Sequence, residues 1–248
     1  MKNLIKLLGI AAIVAVIGFT MVACPEPEEE GGPTSFGDKM EFSGEQVYVN
    51  KALQPYSTDY KPYDGADITF SSRYGATPKI TGGKFSFSVG VPATGDLEGI
   101  DLDEWYSDSD YTDVKISDSS VKYASFSSFY GNNSSLYREN YEYSNVKVSG
   151  SGEDITITSG SMNGEYVSFV YVDKAVTITG KGKTNTETYE GHAYTSKYND
   201  INLSLSAGWN TVCTKTEYSI SATGTSYTNT QSVSNPSSLK WVLDIYED

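Results

Sequence analysis

Cysteine is nearly missing: Cys24 and Cys213 are the only two in 248 residues, and His192 is the single histidine. These scarcities exclude a multi-cysteine zinc site, a dense disulfide framework and any catalytic triad that needs a second imidazole. Basic side chains are few, 18 against 32 acidic ones. The formal charge is −14 and the sequence pI about 4.5, which rules out a nucleic-acid binder working through a basic face. No Gly-x-Ser-x-Gly elbow occurs despite abundant serine. Beyond residue 24 no stretch of 12 residues keeps a 3.6-residue apolar period free of Gly, Pro or Ser/Thr clusters. Little helix is therefore predicted, the best candidate being a turn or two within Leu97 to Trp105.

What is present at the N-terminus is a three-part leader: basic Lys2 and Lys6, an uncharged apolar core from Leu7 to Phe19, and the exit Thr20-Met21-Val22-Ala23-Cys24. This is the layout of a secretory signal peptide spanning residues 1–23, and its core is shorter than the roughly 20 apolar residues a spanning helix needs. Val22-Ala23-Cys24 resembles the end of a bacterial lipobox, although Met21 stands where Leu is usual. The resemblance implies diacylation of Cys24, and two or three acyl chains at about 0.8 kcal/mol per buried methylene form a durable anchor. Cleavage ahead of Cys24 removes Lys2 and Lys6, leaving 16 basic against 32 acidic residues and a charge of −16. Cys213 is then the one thiol without lipid, so no intramolecular disulfide can form, and it reads as a small apolar filler in a strand.

Residues 24–39 hold the lipidated Cys and a tether rich in Pro, Gly and Glu, including Glu28, Glu29 and Glu30, as expected of a solvated spacer. Residues 40–248 form the body. There the dominant period is two: Phe85, Phe87, Val89 and Val91 alternate with small residues, as do Val176 and Ile178, Ile201, Leu203 and Leu205, and Leu239, Trp241, Leu243 and Ile245. Tyr166 to Val172 is apolar on both faces, the mark of an internal strand covered on two sides. Turn signals fall at Thr81-Gly82-Gly83, Gly131-Asn132-Asn133, Gly150-Ser151-Gly152, Asn163-Gly164, Asp173-Lys174, Gly180-Lys181-Gly182, Ala207-Gly208 and Asn235-Pro236. Gly182-Lys183-Thr184 resembles the tail of a phosphate loop, but Thr177 stands where the first Gly belongs, so it reads as a hairpin. The expected fold is all-β, an antiparallel sandwich of two packed sheets or of two halves, 40–145 and 146–248.

The segments Lys79 to Gly90, Phe169 to Asp173 and Leu203 to Val212, the last with Gly208-Trp209-Asn210, resemble segments of uncharacterised lipoproteins of spirochaetes such as treponemes. That resemblance implies a lipid-anchored β protein of the cell envelope, on the outer membrane at either face, and carries no catalytic residue. Trp209 reads as a core plug.

Two clusters could carry chemistry. Between Asp96 and Asp113 stand eight carboxylates in eighteen residues. Hard Ca²⁺ takes six to eight oxygens, so Asp101, Asp103, Asp108 and Asp110 are the candidate ligands, against the plainer reading of a solvated acidic loop. Aromatic rings crowd residues 123–143 and 56–74, and Tyr130, Tyr137, Tyr141 and Trp105 are the candidate ligand contacts. An amphipathic ring with a polar tip suits sugar stacking and protein contact, and equally cross-strand pairing on a sheet. His192 with Glu187 and Glu190 reads as a surface group. Taken together, the sequence points to a binding or structural module for an extracellular carbohydrate or protein. The rival is an envelope hydrolase using paired carboxylates, which requires a cleft holding two close, partly buried Asp or Glu residues.

Overall fold

The computed structural model describes residues 35–50, 58–131, 133–149 and 156–246. The signal segment, Cys24, most of the tether and the Gly150-Ser151-Gly152 turn lie outside the described residues. In chain order the strands are β1 (Ser35–Gly37), β2 (Met40–Gly44), β3 (Val47–Asn50), β4 (Tyr60–Pro62), β5 (Ile68–Thr69), β6 (Lys79–Ile80), β7 (Phe85–Val89), β8 (Glu98–Gly99), β9 (Tyr111–Ile116) and β10 (Lys122–Phe126). They continue with β11 (Ser128–Gly131), β12 (Ser134–Ser149), β13 (Thr156–Val172), β14 (Val176–Gly182), β15 (Thr184–Tyr189), β16 (His192–Tyr198), β17 (Ile201–Leu205), β18 (Gly208–Ser221), β19 (Gly224–Ser232) and β20 (Lys240–Ile245). One helical turn, α1 (Leu102–Trp105), and a 3-10 turn at Thr94–Asp96 fall in or beside the segment where helix is expected.

The protein is an all-β sandwich built on one large open sheet, ordered β15-β16-β19-β18-β13-β12-β20-β3-β4. Its spine is the β13–β18 ladder, which runs without a break from Gly160↔Ile220 to Val172↔Gly208. On the far edge of β13, β12 pairs with the first part, and Tyr123 to Phe126 of β10 pair with Phe169 to Val172. β12 runs through residue 145 and pairs with strands on both sides of it in sequence. All pairings are antiparallel except β16 with β19 and β20 with β3, which are parallel.

Period two on β13 explains the layering. Val167, Phe169 and Tyr171 point to one face and join Phe42, Phe85, Phe126, Phe129, Trp209 and Leu243 in a core closed by the β2–β7 pair and the short β5–β6 pair. Val170 and Val172 point to the other face and meet Ile178, Leu203 and Leu205 of the three-stranded β17-β14-β9 sheet. Phe169 to Val172 is thus covered on both sides, while Tyr166 and Ser168 stay half-buried. Trp209 is fully buried and its Nε1 donates to the Gly90 carbonyl at 3.0 Å, so the ring plugs the first core with its polar atom satisfied.

Two turn expectations fail, for one reason. Asn163-Gly164 is no turn but mid-β13, where Gly164 lies opposite Tyr141; a methyl there would overlap the Tyr141 ring. Gly180-Lys181-Gly182 is the end of β14, and the Gly182-Lys183-Thr184 tripeptide is no hairpin. It is a crossover: a side chain at Gly182 would strike the Tyr198 carbonyl, Lys183 N donates to Asp110 O at 2.9 Å, and the chain passes into β15 of the large sheet. In both places glycine serves close approach, which composition alone cannot distinguish from a turn.

Candidate functional site

β12 positions the site because alternate residues serve opposite layers. Leu136 enters the first core, while Tyr137, Glu139 and Tyr141 point the other way, toward a part of the sheet that the β17-β14-β9 layer does not cover. Register brings Ser128 beside Tyr137, Tyr130 beside Ser135, and Asp244 of β20 beside Ser135. The result is a hollow of about 330 Å³ walled by Tyr130, Tyr137, Tyr141, Tyr166 and Tyr246 and holding Glu139 and Asp244. Tyr130 and Tyr246 are 57% and 52% exposed, so their rings are open to an arriving molecule.

The two carboxylates are wired into the tyrosines. Tyr60 OH donates to Glu139 Oε1 at 3.3 Å and accepts from Tyr141 N at 3.2 Å, while Lys240 Nζ lies 5.1 Å from the centre of the Tyr60 ring. Thr58 Oγ1 donates to Tyr141 O at 3.0 Å, and Ser135 Oγ meets Tyr246 OH at 2.8 Å. Burial pushes the Glu139 carboxyl up to about 7, with the Asp244 charge adding to the rise and the Tyr60 hydrogen bond opposing it. Burial, the bond to Asp244 and the Glu139 charge raise the Tyr137 phenol, which stays protonated and donating at any physiological pH. Tyr141 is pushed up to about 12, chiefly by burial and then by Glu139. A carboxyl that is half protonated near neutrality, ringed by phenols that remain donors, can accept and return a proton or hold two hydroxyls of a ligand at once.

The structure gathers Tyr130, Tyr137 and Tyr141 on one wall. Trp105 stands apart: it sits on α1, its Nε1 donating to Tyr123 OH at 3.2 Å with ring centroids 4.7 Å apart, and it lines a neighbouring hollow of about 200 Å³. Tyr166 borders both hollows and is their one shared ring. The same face continues outward along the sheet, where Tyr143, Met162 and Tyr218 meet in adjacent register.

The acidic loop follows a local logic. Asp101 caps α1, accepting from Asp103 N at 3.0 Å and Glu104 N at 3.3 Å; Asp110 accepts from Ser109 Oγ at 2.8 Å; the Asp108 carbonyl accepts from Lys183 Nζ. Among the described residues no three Asp, Glu, His or Cys side chains gather to hold a metal ion, so Asp101, Asp103, Asp108 and Asp110 do not form a ligand set. His192 is half-buried, its Nε2 2.9 Å from Thr225 Oγ1. Cys213 is buried, with its thiol pushed up to about 11 by burial, and behaves as the apolar filler expected. Cys24 lies outside the described residues.

Sequence reasoning missed Glu139 and Asp244. Glu139 was within reach, since it shares the period-two phase of Tyr137 and Tyr141. Asp244 carries no such signal, because only the β12–β20 pairing brings it to the wall. Searches against protein-family models, curated proteins and solved structures returned no match to this chain.

Proposed function

We propose that this chain is a lipid-anchored module of the cell envelope that binds an extracellular carbohydrate on its tyrosine face. The observation that carries the reading is the pair Glu139 and Asp244 set inside five tyrosines, in a hollow left open by the sandwich. Sugar rings offer apolar C–H faces that stack on phenols and hydroxyls that bond to carboxylates, and this wall supplies both. A glycan array probed with the purified protein tests it: at least one glycan is retained, and Tyr141→Ala weakens that binding about tenfold. Retention of no glycan, with a protein partner captured at the same face, replaces this ligand class by the other.

The anchor has its own test. The Cys24 lipobox predicts that the protein enters the detergent phase on phase separation and that Cys24→Ser leaves it in the aqueous phase; a Cys24→Ser chain still partitioning with detergent refutes lipidation at that thiol.

One observation favours a second reading. Glu139, held near 7 with Asp244 in the same hollow, matches the acid of a carboxylate pair that hydrolyses glycosidic bonds. It predicts release of reducing ends from a bound glycan, abolished by Glu139→Gln while binding persists. Binding without product release leaves the module as a binder.

A further inference from the structure

Arg138 occupies the opposite face of β12 from Glu139. Its Nη1 donates to Asn235 Oδ1 and its Nη2 to Pro236 O at 2.8 Å, both neutral acceptors, and among the described residues it makes no ion pair. Its Nε is buried and unpartnered, and so is the Oγ1 of Thr211, a residue only 1% exposed. Arg138 and Thr211 line the same cavity, about 430 Å³, together with Phe42, Phe169 and Trp241. At its rim Glu41 is occupied by Lys39 at 2.6 Å, so the rim pair cancels and the guanidinium remains uncompensated. The neighbouring Cys213 thiol, raised to about 11, stays neutral and offers no counter-charge.

A half-buried cation lacking an anion is costly, and a buried donor lacking an acceptor, as at Arg138 Nε and Thr211 Oγ1, adds to that cost. Such groups persist where something supplies the missing partner. We propose that this cavity is a binding site for a small organic acid, its carboxylate received by Arg138 Nε and Thr211 Oγ1 and its apolar body against Phe42, Phe169 and Trp241. Two donors from different strands suit the two oxygens of a carboxylate. Arg138 borders both this cavity and the tyrosine hollow, but they share no other lining residue, and the proposal does not depend on the carbohydrate reading.

Benzoate and benzamide, alike in shape and different in charge, are the probes. Ligand-observed NMR on the unsubstituted protein should show benzoate bound and benzamide at least about tenfold weaker, with the Trp241 indole and Thr211 methyl resonances shifting on benzoate addition. Thr211→Val, which keeps the shape and removes the hydroxyl, should weaken benzoate about tenfold while raising the melting temperature of the free protein. No benzoate binding, equal binding of benzamide, shifts confined to other residues, or benzoate affinity unchanged in Thr211→Val each overturns the proposal. The resonance shifts in the unsubstituted protein decide the matter should the variant not fold.

Discussion

Glu139 holds its proton more firmly in the folded chain than in the unfolded one, because the hollow desolvates its charged form and Asp244 repels it. Its folded value of about 7 lies above the ordinary 4.5, so between those limits the native state binds more protons than the unfolded state, and stability falls as pH rises through that window. The contribution is complete below about pH 4.5 and gone above about pH 7. Glu139→Gln, which keeps the acceptor for Tyr60, should flatten the pH dependence and stabilise the protein at pH 8 by about 1–2 kcal/mol, partial exposure of the carboxyl screening the full effect. Urea titrations of both proteins at pH 5 and pH 8 read it directly. Gly164 gives a second residue-scale test. Gly164→Ala forces a methyl against the Tyr141 ring and should cost about 1–3 kcal/mol. Combined with Tyr141→Ala most of that cost should vanish, a coupling of more than about 0.5 kcal/mol in a double-mutant cycle.

Among the elements, the β9-β14-β17 layer holds to the large sheet through Ile178 and Leu203, both essentially without exposure. Ile178→Ala should cost about 2–5 kcal/mol by calorimetry, since the cavity has rigid sheets on both sides. Lys181→Ala, which removes the exposed pair with Asp200, should leave the melting temperature unchanged. These strands were legible from the sequence because their apolar residues alternate cleanly against Thr, Ser and Asn, and within the stretch from Tyr166 to Val172 so was the doubly covered part, Phe169 to Val172. What was not legible follows from pairing at a distance. The order of the sheet, its two parallel pairs, and the sharing of one hollow by Glu139 and Asp244 and of another by Arg138 and Thr211 depend on which strands become neighbours, and alternation within one strand says nothing of its partner. Glycine misled where the backbone or a ring passes close, at Gly164 and Gly182. The wall of Tyr130, Tyr137 and Tyr141 was readable because all three lie on one hairpin, β11–β12, whose register a short turn fixes.

For the molecule as a whole, covered and bare regions of the large sheet should differ in local stability. β13 and β18 between residues 169–172 and 208–212 carry layers on both faces, while every residue of β15 is exposed and that strand is bonded on one side alone. Native-state hydrogen exchange should find the slowest amides in the first and the fastest in the second, by several orders of magnitude. A long seam and a short seam of the sheet also meet at one place. Next to the thirteen rungs between β13 and β18, β1 is attached to β18 by two, Ser35↔Asn210 and Gly37↔Trp209. A chain tugged from its leading end loads those two rungs before any others. They part first, and a few residues of slack pay out while the sandwich behind them stays shut.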